Sequence, residues 1–164
     1  MPVIEHWVHL VAAAMWVGPQ IFLIFVFRPP LKLIPQAGLR RQVTEAIIAR
    51  YNLLSWGSLV VLIITGLLNA LNTISSWEAL FATRYGILLA VKVLFVLAVL
   101  GLTALHTFYL GPRLLKFPPQ VEESTDESLV KEYRRAQRQS LVVSSFNLLF
   151  SLLVLLMVAL MRWG

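Results

Sequence analysis

Two histidines, His6 and His9, stand one helical turn apart in the largely apolar opening stretch MPVIEHWVHLVAAAMWVGPQIFLIFVF. A second apolar stretch, RYGILLAVKVLFVLAVLGLTALHTFYL, carries Lys92 and His106. Each of these side chains has a definite chemistry in hydrocarbon. Imidazole is a metal ligand that suits copper and iron, and an axial histidine is a common way to hold haem iron. A lysine at the centre of an apolar span costs about 2.5–3.5 kcal/mol on insertion, so it either snorkels outward or faces the bundle interior and meets an anion. No Asp or Glu lies well inside an apolar stretch to serve as that anion; Glu5 and Glu78 stand near stretch ends. The missing carboxylate points to an anionic ligand, and the propionates of a porphyrin fit.

The elements that must position these groups follow from composition. Of 164 residues, 59% are hydrophobic and 13% charged, and the mean hydropathy is +0.78. Soluble domains are nearer about 45–50% apolar and about 25% charged. The excess faces lipid, where a core of ~30 Å takes about 20 apolar residues per helix. The sequence predicts one all-α membrane domain over 1–164, with spans at roughly 3–27, 45–72, 85–111 and 133–161. The connections 28–50 and 112–138 hold eleven of the fourteen Lys and Arg residues. The positive-inside rule places both in the cytoplasm, with the two termini and the 72–83 connection outside. The predicted architecture is an antiparallel up-down-up-down four-helix bundle.

The net charge of +6 is accounted for by this topology and by anionic headgroups, so the lipid bilayer is the expected partner and nucleic acid is not. With no cysteine, disulfides, zinc-thiolate sites, iron–sulfur clusters and thiol nucleophiles are excluded. The first span is too long for a signal-peptide core and reads as a retained helix. Gly18-Pro19 predicts a kink in it, while Arg28-Pro29-Pro30 and Gly111-Pro112 predict the ends of spans one and three. FPPQVEESTDES reads as a mobile polar connector.

At about 100° per residue, each span carries one polar stripe. His9, Trp16 and Gln20 share a face of span one, and Tyr51, Ser58, Thr65, Asn69 and Asn72 line span two. Lys92, Thr103 and His106 cluster on span three, and Ser140, Ser144, Asn147 and Ser151 on span four. Such stripes glue helices together at ~0.6 kcal/mol per contact. Depth separates the ionisable groups. Lys92 lies about 10–12 Å below the outer surface, and His106 about 21 Å deeper. The outer half therefore gathers His9, His6, Lys92, Asn69, Met157 and Met161, and His9 and His106 cannot hold one metal from facing positions. His106 either belongs to a second site or meets Tyr51 or Asn52 at the inner boundary.

Three segments carry a resemblance: HLVAAAMWVGPQIFLIFVFRP, YNLLSWGSLVVLIITGLLNAL and RYGILLAVKVLFVLAVLGLTALHTFYLGPRL. A histidine followed by Trp-x-Gly, the Thr-Gly-Leu of span two and the Tyr-Gly…Lys…His of span three occur in this order in the CopD-type copper-resistance membrane domain, which the chain resembles. More distantly it is similar to HemJ, a four-helix protoporphyrinogen oxidase. The resemblance implies a multi-pass protein of the bacterial inner membrane, tied to copper handling or to b-type haem and porphyrin redox chemistry. Carried over by position, the family histidine of span one is His9, the span-three lysine is Lys92 and the later span-three histidine is His106. HemJ-type sequences continue with a Leu-Pro-Arg-like stretch where this chain has Gly18-Pro19-Gln20.

Three functions are then expected. In the first, His9 is an axial ligand of haem b, Lys92 and Asn69 bind a propionate, and Trp16 flanks the ring. The protein would transfer electrons or carry out porphyrin or quinol redox chemistry as an oxidoreductase, with a redox partner or a larger membrane complex. In the second, the chain handles copper at an outer site of His6, His9 and Met157, with His106 as the inner imidazole. In the third, it is a non-catalytic anchor subunit. Hydrolytic catalysis is not expected, because no span offers a carboxylate to orient a histidine.

Overall fold

The computed structural model describes residues 3–31, 33–73 and 83–162. Four helices in it are long and apolar enough to cross a membrane, and no strand occurs among the described residues. Helix α1 spans Val3–Leu31, α2 Ala37–Thr73, and α4 Glu127–Arg162. Helix α3 starts at Arg84, capped by the Thr83 hydroxyl accepting from the Gly86 N–H at 3.0 Å, and runs to Leu115. Glu78, most of the 72–83 connection and the Met161 side chain lie outside the described residues. Helices α1 and α2 pack as one antiparallel pair and α3 and α4 as another, and α1 and α4 join the two pairs. The bundle has a terminal end, where the chain starts and stops, and a loop end carrying the α1–α2 and α3–α4 connections.

The prolines expected to stop spans one and three do not stop them. Proline lacks an N–H and its ring collides with the carbonyl four residues back. Both helices absorb the defect by widening to i→i−5 bonding just before it. Phe22–Phe27 is a π-helical turn in which the Arg28 N–H reaches the Leu23 carbonyl, and α1 continues through Arg28–Leu31. His106–Leu110 is a second, closed by the Gly111 N–H on the His106 carbonyl, and α3 continues through Gly111–Leu115. Gly111 permits this closure, since a Cβ there would stand 3.2 Å from the His106 carbonyl oxygen.

Between lipid-exposed flanks the core is small and mixed. Trp16, Val17, Leu59, Val99 and Leu148 close the middle. Around them the buried polar residues Gln20, Ser58, Thr65, Thr103, Ser140, Asn147 and Ser151 come from the four stripes, and Ser55, which the stripes did not include, is buried with them. Most hydroxyls satisfy themselves on their own helix: Ser58 on Leu54, Thr103 on Val99, Ser144 on Ser140 and Ser151 on Asn147, each donating to the carbonyl four residues back. Cross-helix bonds then fix register. Trp16 Nε1 donates to Ser151 Oγ at 3.0 Å, and Asn147 Nδ2 to Thr103 Oγ1 at 3.2 Å. Trp16→Phe removes the first bond while keeping most of the ring volume. It is expected to destabilise the bundle by about 0.6–1.7 kcal/mol in a reversible detergent unfolding titration.

The FPPQVEESTDES connector, expected to be mobile, is tied down. Val121 is buried with Phe117 and Ala136 under Tyr133, whose ring meets Phe117 edge-on at 5.4 Å. Arg41 on α2 donates to the carbonyls of Phe117 and Leu115, and Arg40 pairs with Glu122 at 3.0 Å. Asp126 then starts α4: its Oδ1 accepts from the Ser128 hydroxyl at 2.6 Å, the Leu129 N–H at 3.2 Å and the Ser128 N–H at 2.9 Å. These bonds, the Ser128 hydroxyl first, hold the Asp126 carboxyl below its ordinary value. A lowered carboxyl stabilises the fold above its ordinary range and loses that contribution as pH falls through the lowered value. Asp126→Ala at neutral pH is therefore expected to speed amide exchange at Ser128 and Leu129 without disturbing the core, and acidification to lower their protection relative to the intrinsic exchange rate at the same pH.

Candidate functional site

His9 is the most defined ionisable group of the terminal end. It stands two turns inside α1, half-buried against α2, and its Nδ1 lies 2.6 Å from Thr65 Oγ1. The Thr65 hydroxyl has one proton, and the Val61 carbonyl at 2.7 Å is an acceptor for it. With the proton there, Thr65 accepts and His9 donates through Nδ1–H. This selects the tautomer in which Nε2 carries a lone pair, as an outer-shell partner does for a metal-ligating histidine. Gly66 lets the ring lie close to the α2 backbone: a Cβ there would meet His9 Cε1 at 3.8 Å. The one-turn spacing along α1 brings Glu5 and His6 to the same region, and Glu5 Oε2 is buried without a hydrogen-bond partner. The charges of Lys92 and His6 act on the His9 ring. Of the residues expected together, His6 stands one turn from His9 on α1, and no hydrogen bond or ion pair joins Lys92 to either among the described residues. Glu5 joins His6 and His9, although its position at the stretch end made it look too shallow.

The other expected residues fall out as follows. Asn69 is half-buried one turn beyond Thr65 on the same face of α2. Trp16 is only 4% exposed and spends its N–H on Ser151, so its ring belongs to the α1–α4 packing. That bond also fixes depth. His9 lies seven residues from Trp16 toward the terminal end and Met157 six residues from Ser151 in the same direction, so both sit about 9–11 Å from it. His106 is at the other end, its Nε2 3.0 Å from Ser140 Oγ and within reach of the Arg28 charge, and it has no part in the His9 cluster.

No group of three or more His, Cys, Asp or Glu is arranged to hold a metal among the described residues. Two surface grooves are present. One, of about 340 Å³, is lined by Arg135, Arg138 and Gln139 with Val142 and Val143. The other, of about 490 Å³, lies among Phe108, Pro112, Arg113, Lys116 and Glu132. Both belong to the loop half, and neither includes His9 or Lys92.

Comparison with known proteins is consistent with this architecture. Residues 45–161, from within α2 to the last turns of α4, match the copper resistance protein D (CopD) family. Searches of curated proteins and of solved structures find no match. The matched segment takes in Thr65, Lys92 and His106 and stops short of α1, which supplies His9. With most of its length matched and four membrane-spanning helices, the chain belongs to the copper resistance protein D family of multi-pass membrane proteins.

Proposed function

We propose that this chain handles copper as cargo, presenting His9 Nε2 to the ion at the terminal end of the bundle. The observation that carries the reading is a pair of unused acceptors on one helix face. With the Thr65 proton on the Val61 carbonyl, His9 Nε2 keeps a lone pair, and Glu5 Oε2, four residues earlier, is buried with no donor among the described residues. Acceptors without donors attract a cation, not a propionate. Imidazole and carboxylate are ligands that copper(II) takes. His6 is a further nitrogen one turn away, and Asn69 and Met157 are further donors at similar depth. Lys92 has the opposite effect. Its charge weakens cation binding at His9, and transport requires binding weak enough to release. The crowding of basic residues at the loop end favours placing that end in the cytoplasm of a bacterial inner membrane, with the His9 cluster toward the outside.

A haem b on the same histidine, with the electron-transfer or oxidoreductase role it would bring, finds no support in the geometry. A porphyrin needs a ring-sized space beside Nε2. Neither groove described above lies beside His9, and the Trp16 N–H, on the expected flanking ring, is engaged by Ser151. The likeness to HemJ rests on short motifs alone. The test of copper handling is uptake into liposomes that enclose a copper-sensitive dye. The full-length chain is expected to carry copper in faster than protein-free liposomes. Equal rates, with the helical circular dichroism of the reconstituted protein intact, would contradict the proposal.

A further inference from the structure

The loop end holds a half-buried cation that the copper reading does not use. Arg28 sits directly after the π turn of α1, and its Nη1 is buried without a hydrogen-bond partner. A guanidinium is always charged and has only donors to offer. The acids of this end are already engaged: Glu45 with Arg41, Glu122 with Arg40, Glu132 with Arg113, Glu127 with Lys131, and Asp126 on the start of α4. Glu123 is exposed on the connector. Arg28 forms no ion pair with any described residue.

Neutral hydrogen-bonding groups of two other helices, Tyr51 of α2 and His106 of α3, feel the Arg28 charge. Arg28 lies twelve residues beyond Trp16 on α1, and Ser140, which His106 bonds, eleven residues before Ser151, the Trp16 partner, on α4, so Arg28 and His106 sit at about one depth. His106 is the first residue of the second π turn. Single π turns inside α-helices recur at functional sites. Ser140, 3% exposed on α4, bonds His106 Nε2. When Ser140 donates that bond, His106 keeps an Nδ1–H. The cluster then offers a guanidinium fork, a phenol and an imidazole N–H, all donors, from three helices. Arginine matches phosphate oxygens two at a time, which a lysine cannot do.

We infer that Arg28, Tyr51 and His106 form a binding site for a phosphate group at the loop end, independent of the His9 cluster. The phosphate has two sources, the headgroup of an anionic phospholipid at this membrane boundary or free phosphate from solution. The test is native mass spectrometry of the full-length chain, titrated in separate arms with phosphatidylglycerol, phosphatidylcholine and inorganic phosphate. Wild type is expected to retain one phosphate-bearing molecule. Arg28→Gln is expected to weaken retention about tenfold, as for loss of a charged hydrogen bond, and Tyr51→Phe by a few-fold. Arg28→Lys keeps the charge and loses the fork, so an intermediate value supports the site. Retention of phosphatidylglycerol unaffected by excess inorganic phosphate assigns the site to lipid, and displacement by inorganic phosphate assigns it to the soluble ion. Equal retention of both probes by wild type, Arg28→Gln and Tyr51→Phe would overturn the inference. Should Arg28→Gln not fold, the thermal midpoint of wild type decides. A rise with phosphatidylglycerol or phosphate that Tyr51→Phe reduces supports the site, and no rise with either overturns it.

Discussion

His9→Leu is expected to lower the copper affinity of the purified chain by at least about a hundredfold while leaving the fold in place. Changing only an outer-shell partner of a metal-bound histidine costs about 10–100-fold, so loss of the ligand itself should cost no less. The substitution separates binding from folding because of how Thr65 is bonded. Its proton has the Val61 carbonyl as an acceptor, so removing the imidazole strands no donor inside the bundle. Only a spare acceptor lone pair on the hydroxyl loses its partner, and leucine fills part of the ring volume against α2. Copper titration and thermal unfolding in the same detergent check both halves. A large loss of affinity with a midpoint near that of wild type fits the account. Unchanged affinity would move the site away from His9.

Lys92→Met is the second large effect, and its sign separates a cation from an anion at the terminal end. Lys92 is half-buried and forms no ion pair among the described residues, yet its charge reaches His9. Methionine is similar in length and carries no charge; because its sulfur can itself bind copper, Lys92→Leu is the control that must show the same changes. Removing an unpaired intramembrane ammonium relieves a cost of about 2.5–3.5 kcal/mol, less whatever the amine recovers by reaching toward headgroups. The variant is therefore expected to unfold at higher temperature or denaturant than wild type. Copper affinity at His9 is expected to rise by about two- to tenfold, since like charges no longer repel across a partly buried gap. Copper release, and with it net uptake into liposomes, is expected to slow. A ligand bearing carboxylates or phosphates predicts the reverse, weaker binding in Lys92→Met.

Much of this was legible in the chain because lipid leaves few ways to hide a polar group. An apolar excess over stretches of 20 or more residues fixes four helices, and a lone polar face on each must turn inward. Ser58, Thr65, Thr103, Ser140, Asn147 and Ser151 are indeed buried. The prolines were misread because their effect depends on what the helix does before them. A π turn converts an expected stop at Pro29 and Pro112 into a bulge, and no periodicity marks it. The docking of the 116–126 connection was hidden because Arg40 and Arg41 are about 80 positions away from their partners Glu122 and Phe117. Trp16 was assigned to a cofactor because a buried aromatic beside a histidine suits either a ring or a helix contact, and only the register with Ser151 decides. Arg28 did carry a signal in the sequence: a cation closing an apolar run with no acid near it. That signal was absorbed into the count of loop charges.

Pulsed electron paramagnetic resonance of the copper(II)-loaded chain tests the central claim most directly. Coordination through Nε2 leaves Nδ1 as the remote ring nitrogen, which gives a characteristic weak coupling to the copper electron. The account predicts that this imidazole coupling is present in wild type and lost or sharply reduced in His9→Leu. A coupling that is the same in His9→Leu, or its absence from wild type with copper bound, would contradict it.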